Sequence, residues 1–487
     1  MKDVQTTRRG FFAMSTSMAM MLAGCAAQSN AGQSASSASG SASTANAERK
    51  SISDSTNGGH AIAVSGKEET YTSVDITKTG DDDGDEADFY GTNAAVYAEE
   101  GATLNLDDIT VECNGQHANA VFSYGEGTTV NIANSTINTT SNTSGGIMVT
   151  GGGVLNATDV TVHTTGNSSA PIRSDRGGGT QVVKGGSFTS DGKGSPVVYS
   201  TANVEVSDAT MKSNSSQGVV VEGKNSVALT NCNLTANNNS KNSDKSDWYQ
   251  AVMIYQSMSG DAAVGQASFS AKEGSITNEN GDVFFVNNTV CSISLQGVAI
   301  TNNDTSGNFL RAAAAGWGTE GSNGGQVTIN ASKQEIAGNM LVDTVSNLNL
   351  HLTDGSAYVG AINPEAGGEV FVEVADGSTW ELTGDSHISS LTCAANGISL
   401  KGHTLTVGET PYVEGTESSG TAIETKVSES TGGPGGGEPP SKPGEGGGEP
   451  PAKPDGEGAN GGPNGGGEPP AKPGESSSSS ASSASAK

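Results

Sequence analysis

The side chains of this chain best suited to chemistry gather between positions 173 and 261. They are the carboxylates Asp175, Glu222 and Asp261, the cations Arg173, Arg176 and Lys224, and the polar or aromatic groups Tyr199, Tyr255 and Gln256, with Trp317 further on. Charged, amide and aromatic groups set in a row can line a groove for an extended polymer. Glycosidic hydrolysis instead needs two carboxylates at a defined separation. Asp175 and Glu222, two coils apart in the repeat described below, would stand ~10 Å apart, at the upper limit for that reaction. A solvated face of compensating charges is the plainer alternative. Asp81, Asp83 and Asp85 form a second acidic group that offers oxygen ligands to Ca²⁺. Its glycine falls at the fourth position of the loop, not the sixth, so it lacks EF-hand spacing and also reads as a solvated loop. No CxxC, HExxH or Cys/His cluster occurs, so zinc is not supported and no cofactor is implied.

What positions these groups is a repeat. Short strands recur as Ala95–Glu99, Ala120–Tyr124, Gly146–Thr150, Pro171–Asp175, Pro196–Ser200, Gly218–Glu222, Ala251–Tyr255 and Val283–Asn287. Their second column (Val96, Val121, Ile147, Ile172, Val197, Val219, Val252, Phe284) is apolar throughout and must face inward. By period-two alternation the fourth column follows it inward, and the third and fifth face out. The fifth then presents Glu99, Tyr124, Thr150, Asp175, Ser200, Glu222, Tyr255 and Asn287 up one face. The third presents an apolar stripe of Tyr97, Phe122, Met148, Val198, Val220, Met253 and Phe285. Such a stripe is either covered by the insertions at 237–250 and 312–325 or left as an adhesive or oligomerising surface. The oligomeric state stays open.

A second strand repeats in phase at Leu104–Leu106, Val130–Ile132, Val204–Val206, Val227–Leu229 and Val327–Ile329. A third passes through Val111, Ile137, Val162, Phe188, Met211, Leu234, Ile276 and Ile300, at spacings of 26, 25, 26, 23, 23, 42 and 24. Three short strands per ~25 residues, about eleven times over, predict an all-β, three-sided parallel β-helix solenoid with about 11 coils. Asp108, Asn134, Asp159, Gly185, Asp208, Asn231 and Gly297 recur between the second and third strands. These residue types tolerate left-handed backbone angles, which marks a bend; an acidic calcium ladder is the alternative. Cys113, Cys232, Cys291 and Cys393 lie on different coils and read as buried, unpaired thiols.

The two ends are not repeat. Residues 1–24 resemble a signal: Thr7-Arg8-Arg9-Gly10-Phe11-Phe12 is similar to the twin-arginine export motif, and Leu22-Ala23-Gly24-Cys25 resembles a bacterial lipobox. The apolar stretch between them is shorter than the ~20 residues that span a bilayer. The resemblance implies export, lipidation of Cys25 and a membrane partner through that lipid, with the chain facing the periplasm or the cell surface. Residues 25–59 are Ser/Ala-rich and read as a flexible tether, 60–427 as the β-helix, and 428–487 as a disordered tail built on GGGEPP(A/S)KP. With 24 basic against 53 acidic residues the net charge is −29, which argues against binding to a phosphate backbone, so no nucleic-acid partner is expected.

The repeat resembles right-handed parallel β-helix proteins of the pectin-lyase-like superfamily. It is closest in character to uncharacterised bacterial surface proteins with such repeats. The segments that carry the likeness are Gly80–Asn93, Ser174–Gly179, Gly194–Thr201, Val221–Ser226, Tyr255–Asp261 and Trp317–Gly325. The resemblance implies a right-handed coil and covers roughly 60–400. It leaves activity open, because one fold hosts many functions. β-Elimination of a uronate polymer in that superfamily needs a charge-neutralising group and a basic residue. Arg173 or Arg176 with Lys224, plus Asp175 and Glu222 for a cation, supply those types without a diagnostic lyase motif. The expectation is a lipid-anchored, non-catalytic surface β-helix that binds glycan or another surface polymer through Arg173, Asp175, Arg176, Tyr199, Glu222, Lys224, Tyr255, Gln256, Asp261 and Trp317. A polysaccharide lyase or hydrolase and a structural envelope protein are the alternatives.

Overall fold

Strands of three to six residues, alternating branched apolar and polar side chains, can bury only one face each, so they must stack on copies of themselves. That is what the computed structural model shows for residues 49–425, which are described except for Asp83, Asp85 and Met258. The twin-arginine-like motif, Leu22–Cys25, residues 26–48 of the tether and the Gly/Pro-rich tail lie outside the described residues.

The described chain is a parallel β-helix with three faces. The first face stacks eleven strands, from Ile62–Ser65 through Val96–Glu99 and Val121–Tyr124 to Met340–Val342. The second runs from Glu68–Thr72 to Ser390–Cys393. The third starts at Lys50–Asp54, and a four-stranded stack beginning at Glu335–Ala337 continues it. Two long strands, Ser226–Ala236 and Gln266–Asn278, run through the corner and pair on both the second and third faces. Pairing is parallel throughout, apart from the Leu405–Val407 with Thr410–Pro411 hairpin and one bridge between Cys393 and Ser418. The inward columns form one continuous core from Ile62 to Leu405.

The bend column is backbone geometry. Asp108, Asn134, Asp159, Asp208 and Asn231 all have φ between 49° and 56°, and Gly185 and Gly297 take the same place at 70° and 62°. A left-handed residue there turns the chain from the second face to the third, which accounts for the interchange of Asp, Asn and Gly.

Two expectations need correction. Lys50–Asp54 pairs with Val74–Lys78, so the helix begins ten residues before position 60, and the end of the expected tether is structured. The strand expected at Pro196–Ser200 is shifted by one residue. Val198, not Val197, pairs with Ile172 and Val219, which makes Tyr199 outward in the third column and Ser200 inward. Val197 and Val198 are both buried, so hydrophobicity alone could not choose between them. The outward stripe takes the covered alternative: Tyr97, Phe122, Met148, Tyr199, Val220, Met253 and Phe285 are each at most 4% exposed. All four described cysteines are buried and unpaired, as expected.

Candidate functional site

Outward residues of the first face are buried because insertions between the faces fold back over them. The short helix Glu86–Tyr90 lies on the N-terminal part of this face, where Tyr97, Phe122 and Met148 pack with Ala94. Further along, Tyr199, Val220, Met253 and Phe285 pack with Tyr255, Trp317 and the half-buried Trp248.

Arg173 stands where these two apolar patches meet. Its Nη1 donates to Asp88 Oδ1 at 3.0 Å and its Nη2 to Asp175 Oδ2 at 3.4 Å, and the side chain is 1% exposed. Asp88 comes from the inserted helix and also meets His117 Nδ1 at 2.9 Å and Asn119 Nδ2 at 3.3 Å. Arg173 is therefore the pin that fixes the helix to the face. Burial opposes ionisation of Asp88, but Arg173 and the His117 hydrogen bond outweigh it and hold that carboxyl below its ordinary value. The same hydrogen bond raises His117 against its own burial.

Asp175 is fully buried. Burial, reinforced by Asp261 and only partly offset by Arg173, pushes its carboxyl up to about 8. Arg176 turns away from it: its Nε donates to Asp261 Oδ1 at 2.6 Å, and its guanidinium sits 3.8 Å from the centre of the Phe89 ring. Asp261 belongs to a strap that follows Tyr255, so this ion pair fastens the strap.

Glu222 is a second hub. Tyr199 donates to its Oε2 at 2.5 Å and Tyr255 at 2.9 Å, and the hydroxyl of Ser257 donates to Oε1. Burial raises this carboxyl, against the pull of the three hydroxyls. Gln256 donates to Ser257 O and Ala262 O and ties the strap to itself.

The structure thus brings Arg173, Asp175, Arg176, Tyr199, Glu222, Tyr255, Gln256 and Asp261 together, and Trp317 joins them edge-on to Tyr255 at 5.2 Å. It does not leave them as an open row. Most lie beneath the strap and the insertions, because a face of Tyr, Val, Met and Phe buries more apolar area covered than open. Lys224 stays outside the cluster, exposed at the strap's edge. Asp81 is engaged by the backbone N–H of Gln116 at 2.7 Å, while Asp83 and Asp85 lie outside the described residues. Among the described residues no group of three or more His, Cys, Asp or Glu is placed to hold a metal.

Where the two largest insertions meet, a pocket opens. Lys245 O accepts from Gly316 N at 2.7 Å and Lys245 Nζ donates to Gly316 O at 3.1 Å, which joins them over the face. The pocket encloses about 60 Å³. Its floor is Val220, Met253 and Tyr255, its aromatic walls are Trp248, Tyr249 and Trp317, and Gln217, Asn238, Asn242, Gln250 and Lys241 add polar groups. Trp248 is fixed from both sides, with Phe285 edge-on at 5.4 Å and the Arg311 guanidinium 4.6 Å over its ring. Arg311 is itself held by Asp282 at 2.6 Å. The sequence reading had Tyr255 and Trp317 but missed the amides. The signal available was the spacing of 42, which marks the 237–250 insertion and its Trp248-Tyr249 pair.

No family model, curated protein or solved structure matches this chain.

Proposed function

We propose that the protein is an exported, lipid-anchored β-helix that displays a non-catalytic binding site for a glycan or another surface polymer. The observation that carries this reading is the pocket at the meeting of the two insertions, where rigid indole and phenol rings stand beside a set of side-chain amides. Flat aromatic faces pack against the C–H faces of sugar rings, and amides exchange hydrogen bonds with hydroxyls. A rod stiffened by parallel stacking suits the task of holding such a site away from a surface. The anchor and the external location rest on Arg8-Arg9 and on Leu22–Cys25, which resemble an export motif and a lipobox.

The test is retention of the purified chain on a panel of insoluble and soluble polysaccharides, with a Trp248→Ala/Trp317→Ala variant alongside. Losing both rings should weaken binding at least about 30-fold, the scale of an aromatic hot spot. Absence of retention on every polymer, or a variant that binds as well as the parent, would overturn the proposal and favour a purely structural envelope role.

Cleavage of an acidic polysaccharide is the second reading. It is favoured by Asp175, a carboxyl that holds its proton to about 8 in a cluster with Arg173, Asp261 and Glu222. Its full burial weighs against it, since a general acid must reach the glycosidic oxygen. Release of reducing or unsaturated ends from pectins, alginate or glycosaminoglycans would establish that reading in place of the first.

A further inference from the structure

We infer that the pocket receives an acetamido group, which makes the ligand class a glycan built from N-acetylated amino sugars. The inference rests on the reading of this pocket as a glycan site. Gln250 lines the pocket, is 1% exposed, and its Oε1 has no hydrogen-bond partner among the described residues. A buried acceptor left unpaired is destabilising, and a ligand N–H that reaches it as the side chain adjusts would satisfy it. An acetamido group carries both an N–H and a C=O, so it matches a side-chain amide in either of its two flipped orientations.

Size and polarity agree with this chemistry. A volume of about 60 Å³, at the ~10–15 Å³ each water requires, holds about four to six waters. That is enough for the four heavy atoms of CH₃–CO–NH. Val220, Met253 and Trp248 are among the apolar lining of the pocket, which suits the methyl group. No carboxylate is among the described residues that line the pocket. A protonated amine, which is what deacetylation would leave, must therefore be desolvated against apolar walls without a counter-ion. A hydroxyl in the same place can pair with Gln250 but leaves the apolar end unfilled. The sugar ring itself would stay at the mouth, within reach of the rim amides Gln217 and Asn242.

The test is calorimetric titration of the full chain with three tetramers of the same β-1,4 linkage: N-acetylglucosamine, glucosamine and glucose. The expected result is binding of the acetylated tetramer at least 10-fold tighter than either of the others. Gln250→Leu should remove that preference while the thermal midpoint stays the same or rises, because the unpaired acceptor goes with the amide. Gln250→Asn, which keeps the amide but withdraws it, should fall between the two. Equal binding of the acetylated and glucose tetramers would overturn the acetamido assignment and leave the glycan site standing. Failure to bind all three overturns the assignment as well. If other polysaccharides are then retained through Trp248 and Trp317 the glycan reading survives, and if none is retained both fall.

Discussion

The hydroxyl of Tyr255 donates to Glu222 Oε2 at 2.9 Å, and the two residues are register partners on adjacent coils of the first face. The ring of Tyr255 meanwhile forms part of the pocket floor and meets Trp317 edge-on. One side chain therefore belongs to both the buried carboxylate hub and the binding pocket, and its two ends can be separated by mutation.

Tyr255→Phe keeps the ring and removes one of three hydroxyls that serve Glu222. It should cost about 1–3 kcal/mol in urea unfolding, the range for leaving a buried acceptor underpaired, with polymer binding changed by less than about twofold. Tyr255→Ala removes the ring as well. It should cost about 3–5 kcal/mol and weaken binding about 10-fold or more. Equal loss of binding in the two variants would show that the hydroxyl, and not the ring, is what the ligand senses.

Stability should peak in mild acid. Asp175, raised from 3.8 to about 8, and Glu222, raised from 4.5, keep their protons in the folded chain after the unfolded chain has lost them. Their contribution is full below the unfolded values and is lost as pH rises toward the folded ones. His117, raised from 6.5, acts in the same direction above neutrality. Asp88 is lowered from 3.8, so its contribution is present above that value and disappears below it. Together with Arg173, which faces both aspartates, these groups place the maximum at roughly pH 4–5 with a decline toward pH 8. Thermal midpoints at pH 4.5, 6 and 8 should fall in that order, and Asp175→Asn should flatten the slope. A midpoint that climbs from pH 5 to 8 would contradict the assignment.

Much of the fold was legible because each coil repeats the same physical demand. Val96, Val121 and Ile147 had to face one core, and Asp108, Asn134 and Asp159 had to supply one bend, so periodicity alone placed them. The slip at Val197 and Val198 came where two adjacent β-branched residues satisfied the pattern equally well. The candidate site was legible in membership but not in exposure. Alternation places Tyr255 and Glu222 outward, but it carries no information about what folds over them. That depends on the insertions at 86–90, 237–250 and 256–265, which have no period. Asp88, the partner of Arg173, is 85 residues away in sequence and sits on one of these insertions, beyond the reach of any spacing argument.

Thiol chemistry offers an independent check on burial. Cys113, Cys232, Cys291 and Cys393 are buried and unpaired, and burial pushes the Cys113 thiol up to about 12 and raises those of Cys232 and Cys291 too. Only thiolates react quickly with aromatic disulfide reagents, so Cys113, Cys232 and Cys291 should not label in the native protein at pH 8. All four should label at once on unfolding. Mass spectrometry of the labelled protein reads both outcomes, and early labelling of Cys232 alone would show that the corner between the second and third faces opens locally.

The bend column allows backbone strain to be separated from contact. At Gly297, φ is 62° and an added Cβ would have nothing within 4 Å, so Gly297→Ala measures the left-handed penalty by itself, about 1–2 kcal/mol. At Gly185, φ is 70° and the same Cβ would come 2.1 Å from Asp159 Oδ1 on the preceding coil. Gly185→Ala should therefore cost more than Gly297→Ala, by what it takes to push that carboxylate aside. Asp159 itself sits at φ 52°, where glycine is equally at home, so Asp159→Gly should be close to neutral. In that background the contact at Gly185 no longer exists but the backbone strain does. The cost of Gly185→Ala should then drop to the Gly297→Ala value, and a double-mutant cycle in urea should return the difference as the coupling between neighbouring bends. Strict additivity would mean that the two coils are not stacked bend over bend.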